Sequence, residues 1–229
     1  MKKTPSEEIA KKRAQYVNKE LKKLFPDSLQ TPLHFSTDIE LLVAVILSAQ
    51  TTDKGVNALT SSLFTKYTHA KEYVHTPLPL LEKDLATINY FRTKARHIQR
   101  AMSIISEKHD GEVPGSMSEL LELPGVGRKT ANVVLGHLFG IVEGIAVDTH
   151  VVRLSNKFGL VRGRDPHKIE RELMRLLPQK DWWEFSYRIK AYGREISPAR
   201  RGLDDPISLK LIEKGLLPRV RISCTQTKP

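Results

Sequence analysis

The chain has 229 residues, 40% hydrophobic and 28% charged, a composition that allows one large globular domain or two modest ones. No apolar run is long enough to cross a bilayer and no signal-peptide stretch opens the sequence, so we expect a cytoplasmic protein. The net charge of +11 favours a polyanionic partner such as nucleic acid, although a basic, solvated surface with no partner would carry the same charge.

Apolar periodicity along the chain predicts a series of short α-helices. The first, residues 6–25, places five apolar residues on one stripe, which is expected to dock on the protein's own core rather than on a membrane: Ala10, Ala14, Val17, Leu21 and Leu24. The next, residues 38–49, is apolar nearly all round, which indicates a central helix, and Asp38 is its expected N-cap. Further helical patterns cover 53–67, 70–74, 79–85, 92–107, 117–122, 128–139, 149–158, 166–176 and 181–192. Because no stretch shows a clear strand alternation, the predicted fold class is all-α.

A Pro-Gly-Val-Gly turn joins two of these predicted helices within residues 123–135, LPGVGRKTANVVL. Glycines let a backbone approach a ligand closely, and the free N–H groups of such a turn lie beside the start of the next helix. This arrangement suits a phosphate and reads no base sequence. Many turns between helices contain glycine, so the turn alone is equally consistent with an ordinary connection.

Lys129 lies in the first turn of the helix that follows, where the helix dipole disfavours a cation. The dipole and an expected partial burial both favour the neutral amine, which is the nucleophilic form. We therefore interpret Lys129 as a candidate nucleophile. The alternative is that Lys129 only neutralises a nearby phosphate, as Arg128 can.

Four further segments extend this pattern: LLVAVILSAQTTDKGVN, TINYFRTKARHI, GEVPGSMSELLELPGVG and AVDTHVVRLSNKFGLV. With the hairpin they resemble the helix-hairpin-helix superfamily of DNA glycosylases, and within it the endonuclease III family, over about residues 35–195. The resemblance implies two helical lobes with an interlobe DNA-binding cleft. One lobe would be residues 31–142, which hold the helix-hairpin-helix motif, and the other residues 1–30 plus 143–229.

The same resemblance implies a bifunctional DNA glycosylase and apurinic/apyrimidinic lyase that acts on oxidised pyrimidines in base excision repair. Lys129 matches the family's nucleophile, which attacks C1′ of the sugar and expels an extruded base, after which β-elimination cuts the strand. Asp148 matches the second catalytic residue, which stabilises positive charge on the sugar and moves protons. Its place before THVVRLSNKF also predicts a helix N-cap that can still present one carboxylate oxygen.

The implied partner is double-stranded DNA with a damaged base or an abasic site, bound by a monomer associated with the nucleoid. Gln50 matches the residue that fills the gap left by the extruded nucleotide, and Tyr90 falls where the family places an apolar wedge. An exposed helix end for Gln50 and a core position for Tyr90 are the alternatives. The implied donors to a DNA phosphate are the hairpin N–H groups of Gly125, Val126 and Gly127, and Arg128 is a further DNA-binding residue.

The chain departs from the family after residue 192, where the family carries four cysteines that hold a [4Fe–4S] cluster. The only cysteine here, Cys224, cannot hold a cluster, and we interpret it as a bystander. We therefore expect no cluster and no cofactor, although hairpin carbonyls can hold a monovalent cation. At the family spacing the four cluster positions are Ser197, Asp204, Ile207 and Glu213. Basic residues that either contact phosphates or form a solvated tail are Arg200, Arg201, Arg219 and Arg221.

Two other functions remain as alternatives. A monofunctional mismatch glycosylase of the same superfamily would lack the nucleophilic lysine, so Lys129 argues against it. A non-catalytic helix-hairpin-helix DNA-binding module would need the hairpin but neither Lys129 nor Asp148.

Overall fold

The computed structural model describes residues 5–27 and 31–218, and every regular element within them is helical. The predicted all-α class is therefore confirmed. Cys224, Arg219 and Arg221 lie outside the described residues. The helices of this part of the chain are α1 (Pro5–Leu24), α2 (Asp38–Leu47), α3 (Asp53–Leu63), α4 (Ala70–His75), α5 (Leu78–Asp84), α6 (Phe91–Lys108), α7 (Met117–Glu122), α8 (Arg128–Val134), α9 (Thr149–Lys157), α10 (Pro166–Leu176), α11 (Trp182–Glu195) and α12 (Pro206–Glu213).

Two short irregular helices complete the set. A π-helical turn, Leu135–Phe139, continues α8 and ends at Gly140, whose φ is 65°. A 3₁₀ turn, Gln179–Asp181, leads into α11. None of the helices in the described ranges is long and apolar enough to cross a membrane.

The chain divides into two compact units, Gln30–Ala146 and Met1–Leu29 together with Val147–Pro229. In the first unit α2 is the central helix, because all its residues from Ile39 to Leu47 are buried. It packs against α3, α6 and α8. Because α2 is apolar on nearly every side, exposing any of its faces to water would cost free energy. The remaining helices of the unit therefore surround it.

The N-cap of α2 lies one residue earlier than the sequence suggests. The N-cap is Thr37, whose backbone is extended and whose Oγ1 accepts a hydrogen bond from the N–H of Glu40 at 3.2 Å. The expectation that Asp38 is the cap is therefore wrong. Asp38 is the first helical residue, where its carboxylate still interacts favourably with the helix dipole.

In the second unit α1 packs against α10, α11 and α12. The predicted stripe is confirmed over most of its length, since Ala14, Val17 and Leu21 are all fully buried. Leu24, the last residue of the helix, is 43% exposed, so its predicted place in the stripe is wrong, and Ala10 is only partly buried. The first helix therefore belongs to the core of this unit.

Candidate functional site

The hairpin between α7 and α8 is held by its own backbone. The N–H of Val126 donates to the carbonyl of Leu123 at 3.0 Å, and the side chain of Val126 is buried. Gly125 has a φ of 84°, and a Cβ there would lie 3.1 Å from Cβ of His97 and 3.3 Å from Cγ2 of Ile46. Only glycine combines this left-handed backbone with so close an approach to α2 and α6.

The three expected phosphate donors differ in this structure. The N–H of Val126 is engaged inside the turn, and the assignment of Val126 as a contact to DNA stays a prediction. Its buried side chain anchors the turn. Gly125 and Gly127 are exposed, and their N–H groups make no hydrogen bond within the part of the chain that the structure describes.

Lys129 is the second residue of α8, whose N-cap is Gly127. Its side chain is exposed, so the expected partial burial is wrong for the protein without DNA. Helical geometry gives the reason, because Ala131 and Val134 face the core and place Lys129 on the opposite side of the first turn. Among the described residues no carboxylate forms an ion pair with Lys129.

Asp148 is the N-cap of α9, as its sequence context predicts. Its Oδ1 accepts hydrogen bonds from the backbone N–H groups of His150 at 2.8 Å and Val151 at 2.9 Å. The second oxygen, Oδ2, has no hydrogen bond within residues 5–27 and 31–218. The cap therefore fixes the carboxylate through one oxygen and leaves the other available.

His150, two residues after Asp148, is a neighbour that sequence reasoning missed. Its Nδ1 is buried and has no hydrogen-bond partner, and burial lowers the pKa of the imidazole although Asp148 opposes this effect. A Cβ at Gly193 would lie 2.6 Å from this nitrogen. The imidazole therefore fills the space that the glycine of α11 leaves.

Gln50 and Tyr90 both lie at exposed turns in the first unit. Tyr90 is 63% exposed, so the alternative of a core tyrosine is wrong. The Nδ2 of Asn89 donates to the carbonyl of Gln50 at 3.1 Å, which brings the two turns together. With Ile46 facing Gly125, both turns and the hairpin cluster around the C-terminal end of α2. Asp148 belongs to the other unit.

The four positions that correspond to cluster cysteines do not fit an iron–sulfur cluster. Ser197 and Ile207 are buried, whereas Asp204 and Glu213 are exposed. A cluster needs thiolate ligands, and none of these four residues supplies one. Within the ranges the structure describes, no group of three or more His, Cys, Asp or Glu side chains could hold a metal ion.

A buried polar network occupies this region instead. The carboxylate of Asp205 is fully buried and accepts hydrogen bonds from the hydroxyl of Tyr192, from Oγ of Ser208 at 2.6 Å and from Nζ of Lys157, which lies 2.7 Å away. Lys157 Nζ also donates to Oγ of Ser197 at 2.8 Å. Burial alone would raise the pKa of Asp205, but the hydrogen bonds from these donors outweigh it and lower that pKa.

Comparison with known proteins agrees with the hairpin and with the all-helical fold. A family model described as HhH-GPD superfamily base excision DNA repair protein matches residues 43–179. The chain therefore belongs to the HhH-GPD superfamily of base excision DNA repair proteins.

Within that superfamily the chain is similar to endonuclease III, and the family identified from the sequence is confirmed. It is 49% identical over 193 residues to endonuclease III of Synechocystis sp., covering 84% of this chain and 88% of the relative. It is 45% identical over 172 residues to that of Bacillus subtilis, covering 75% and 78%. A solved endonuclease III–DNA covalent intermediate, trapped as an estranged-adenine complex, is 39% identical with a TM-score of 0.81, covering 88% of this chain and 98% of that one. The chain is accordingly a bifunctional DNA glycosylase and abasic-site lyase of base excision repair.

Proposed function

We propose that this protein excises oxidised pyrimidines from double-stranded DNA and cleaves the strand at the resulting abasic site, with Lys129 as nucleophile and Asp148 as the second catalytic residue. The proposal rests on the observation that each of these two side chains leaves one reactive atom accessible to a substrate. The side chain of Lys129 is exposed directly after the hairpin, and Oδ2 of Asp148 stays unbonded although Oδ1 caps α9.

The chemistry follows from these two groups. The amine of Lys129 forms a bond to C1′ while the bond from C1′ to the base breaks and the base leaves with a proton. Ring opening gives an imine, which acidifies the protons on C2′. Loss of a C2′ proton then expels the 3′ oxygen, and water hydrolyses the imine to release the enzyme. Asp148 accepts a proton from the lysine and stabilises positive charge on the sugar.

The side chain of Lys129 is exposed in the first turn of α8, so bound DNA would cover it and exclude water from it.

We assign the DNA contacts in the same way. The exposed N–H groups of Gly125 and Gly127, with Arg128, would hold a phosphate of the damaged strand. Gln50 would bond the base edges orphaned by extrusion, and Tyr90 would stack against the neighbouring base pair. The expected lobes, 31–142 and 1–30 plus 143–229, would correspond to the two compact units, whose boundaries lie one residue and four residues away. They would form a monomer associated with the nucleoid, where the charge of +11 favours binding.

We further propose that the protein works without an iron–sulfur cluster. The support is the single cysteine of the chain and the buried network around Asp205, which supplies contacts where a cluster would otherwise hold the segment after α11. The imine itself is the electron sink for β-elimination, so the reaction needs no cofactor.

Borohydride trapping on duplex DNA with an abasic site tests the proposed nucleophile. We expect the intact protein to form a covalent adduct and Lys129→Ala to form none, with an unchanged melting temperature because the side chain is exposed. Lys108→Ala, which removes another exposed lysine of the same unit, is the matched control and should trap normally. Failure of the intact protein to form an adduct would overturn the proposal.

A further inference from the structure

Three residues other than glycine in the unit Gln30–Ala146 have a left-handed backbone: Gln50, Tyr90 and Asp110. The first two lie in neighbouring turns. The φ angle is 53° at Gln50, which follows α2, and 58° at Tyr90, the N-cap of α6. L-residues rarely adopt this conformation, and it persists only where surrounding contacts hold it. Both side chains are the ones that we propose to enter the duplex, so the contacts that hold these turns bear on function.

The side chain of Lys94 holds the turn at Gln50. Its Nζ donates to the carbonyl of Leu47 at 2.8 Å and to Oγ1 of Thr51 at 2.9 Å, so it holds the chain on both sides of Gln50. Lys94 lies in the first turn of α6, where its backbone N–H makes the ordinary helical bond to the carbonyl of the N-cap, Tyr90, at 3.0 Å. The side chain therefore ties the turn after α2 to the helix that follows Tyr90.

Asn89 reinforces this arrangement from the surface. Its Nδ2 donates to the carbonyl of Gln50 at 3.1 Å, while the residue itself is exposed. The carbonyl of Gln50 is thus bound by the residue that immediately precedes Tyr90. This bond links the two turns directly, and the side-chain bonds of Lys94 tie the Gln50 turn to the first turn of α6.

The placement of Lys94 is unusual for a lysine. The residue is only 5% exposed, and no carboxylate among residues 5–27 and 31–218 pairs with its ammonium. Its partners are neutral oxygens, one of them at the C-terminal end of α2, where the helix dipole is negative. Burial lowers the pKa of Lys94. An apolar side chain would pack here without the free-energy cost of burying a charge. The hydrogen bonds that the ammonium donates are therefore the property that distinguishes a lysine at this position.

We propose that Lys94 is a positioning residue that fixes Gln50 and Tyr90 relative to each other before DNA binds, so that both side chains enter the duplex together as the damaged nucleotide leaves it. This inference rests on the proposed function, because it takes Gln50 and Tyr90 as the inserted residues. Its loss should impair extrusion of the nucleotide and leave the chemistry of Lys129 on the sugar intact.

The variant Lys94→Met keeps the length of the side chain and removes its donors. On a duplex with an oxidised pyrimidine opposite 2-aminopurine, we expect single-turnover base release to be slower by about tenfold or more, with a smaller rise in 2-aminopurine fluorescence. Borohydride trapping at an abasic site in single-stranded DNA, which needs no extrusion, should stay within about twofold of the intact protein. Lys108→Met is the control and should behave as the intact protein does in all three measurements.

The outcomes separate this inference from the proposed function. If the intact protein forms no borohydride-trapped adduct with duplex DNA that contains an abasic site, the proposed function fails. If the adduct forms and Lys94→Met matches the intact protein in base release and fluorescence, the positioning role is overturned. An equal loss on single-stranded and duplex substrates would show a merely structural role and would also overturn it.

Should Lys94→Met not fold, Asn89→Ala provides the second test, because this exposed side chain can be removed without opening the core. We expect slower base release from the duplex with unchanged trapping on single-stranded DNA. Base release equal to that of the intact protein would overturn the inference.

Discussion

Nζ of Lys157 lies 2.7 Å from Oδ2 of Asp205, and the two side chains are 10% and 0% exposed. Lys157 is the last residue of α9, and Asp205 is the N-cap of α12, where it accepts a hydrogen bond from the N–H of Ser208 at 3.1 Å. The pair therefore ties the helix that starts at Asp148 to the segment that follows α11.

Breaking this pair by removing one partner should destabilise the protein strongly. We expect Lys157→Met to lower the free energy of unfolding by about 3–5 kcal/mol, because it leaves a buried carboxylate without its cation. Urea denaturation measures the loss. The double variant Lys157→Met with Asp205→Leu should recover part of it, and a single-variant effect below about 1 kcal/mol would show that the pair contributes little.

The same carboxylate predicts a dependence of stability on pH. The pKa of Asp205 is lower in the folded protein, so its contribution is present above the unfolded-state value of about 3.9 and is lost as pH falls through the folded pKa. We expect the difference in unfolding free energy between the intact protein and Asp205→Asn to shrink below about pH 4. Urea titrations from neutral to acid pH test this, and a difference that stays constant would contradict it.

The two roles proposed for Asp148 can be separated by substitution. Asn also accepts N-cap hydrogen bonds, so Asp148→Asn should retain stability, whereas Asp148→Ala should lose about 1 kcal/mol. Both variants lack the carboxylate and should slow base release by about a hundredfold or more. Melting curves and single-turnover kinetics on the same preparations provide the comparison, and full activity in Asp148→Asn would exclude the catalytic role.

The contact between His150 and Gly193 predicts a steric effect on activity. A methyl group at residue 193 would lie 2.6 Å from Nδ1 of His150, so Gly193→Ala should displace the start of α9 and cost about 1–3 kcal/mol of stability. Base release should slow because Asp148 moves with His150. Combining Gly193→Ala with His150→Ala should restore stability relative to Gly193→Ala alone, and a fully stable single variant would contradict the contact.

The charge of the protein predicts a steep salt dependence of DNA binding. Phosphate contacts release counterions, so the logarithm of the binding constant should fall linearly with the logarithm of salt concentration. Arg128→Ala should reduce the magnitude of that slope by about one, whereas Lys108→Ala should leave it unchanged. Fluorescence anisotropy at several salt concentrations gives the slopes. A binding constant that does not change with salt concentration would refute the electrostatic interpretation.

Features that follow from local pattern were predictable from the sequence. The burial of α2 follows from its apolar composition, and the cap at Asp148 follows from its place before a helix. The exposure of Lys129 was not predictable, because it depends on which side of α8 meets the core. The left-handed backbone of Gln50 and Tyr90 was not predictable, because neither residue is a glycine.

The network around Asp205 could not be predicted for a different reason. Its members Lys157, Tyr192 and Ser208 lie on three different helices, and their burial arises only when these helices pack. In the sequence each reads as an ordinary surface residue. The missing cysteines indicated that something had to change after α11, but not what replaces them.

The segment after α11 is held in place by side chains of the same polypeptide, and this affects how the protein matures. In the cluster-free protein that we propose, folding of this region would need nothing beyond the polypeptide, so synthesis of active enzyme would not depend on iron supply or on machinery that inserts cofactors. Oxidants that dismantle inorganic sulfide would find no target in it. Repair of oxidised bases could then continue under the very stress that produces them.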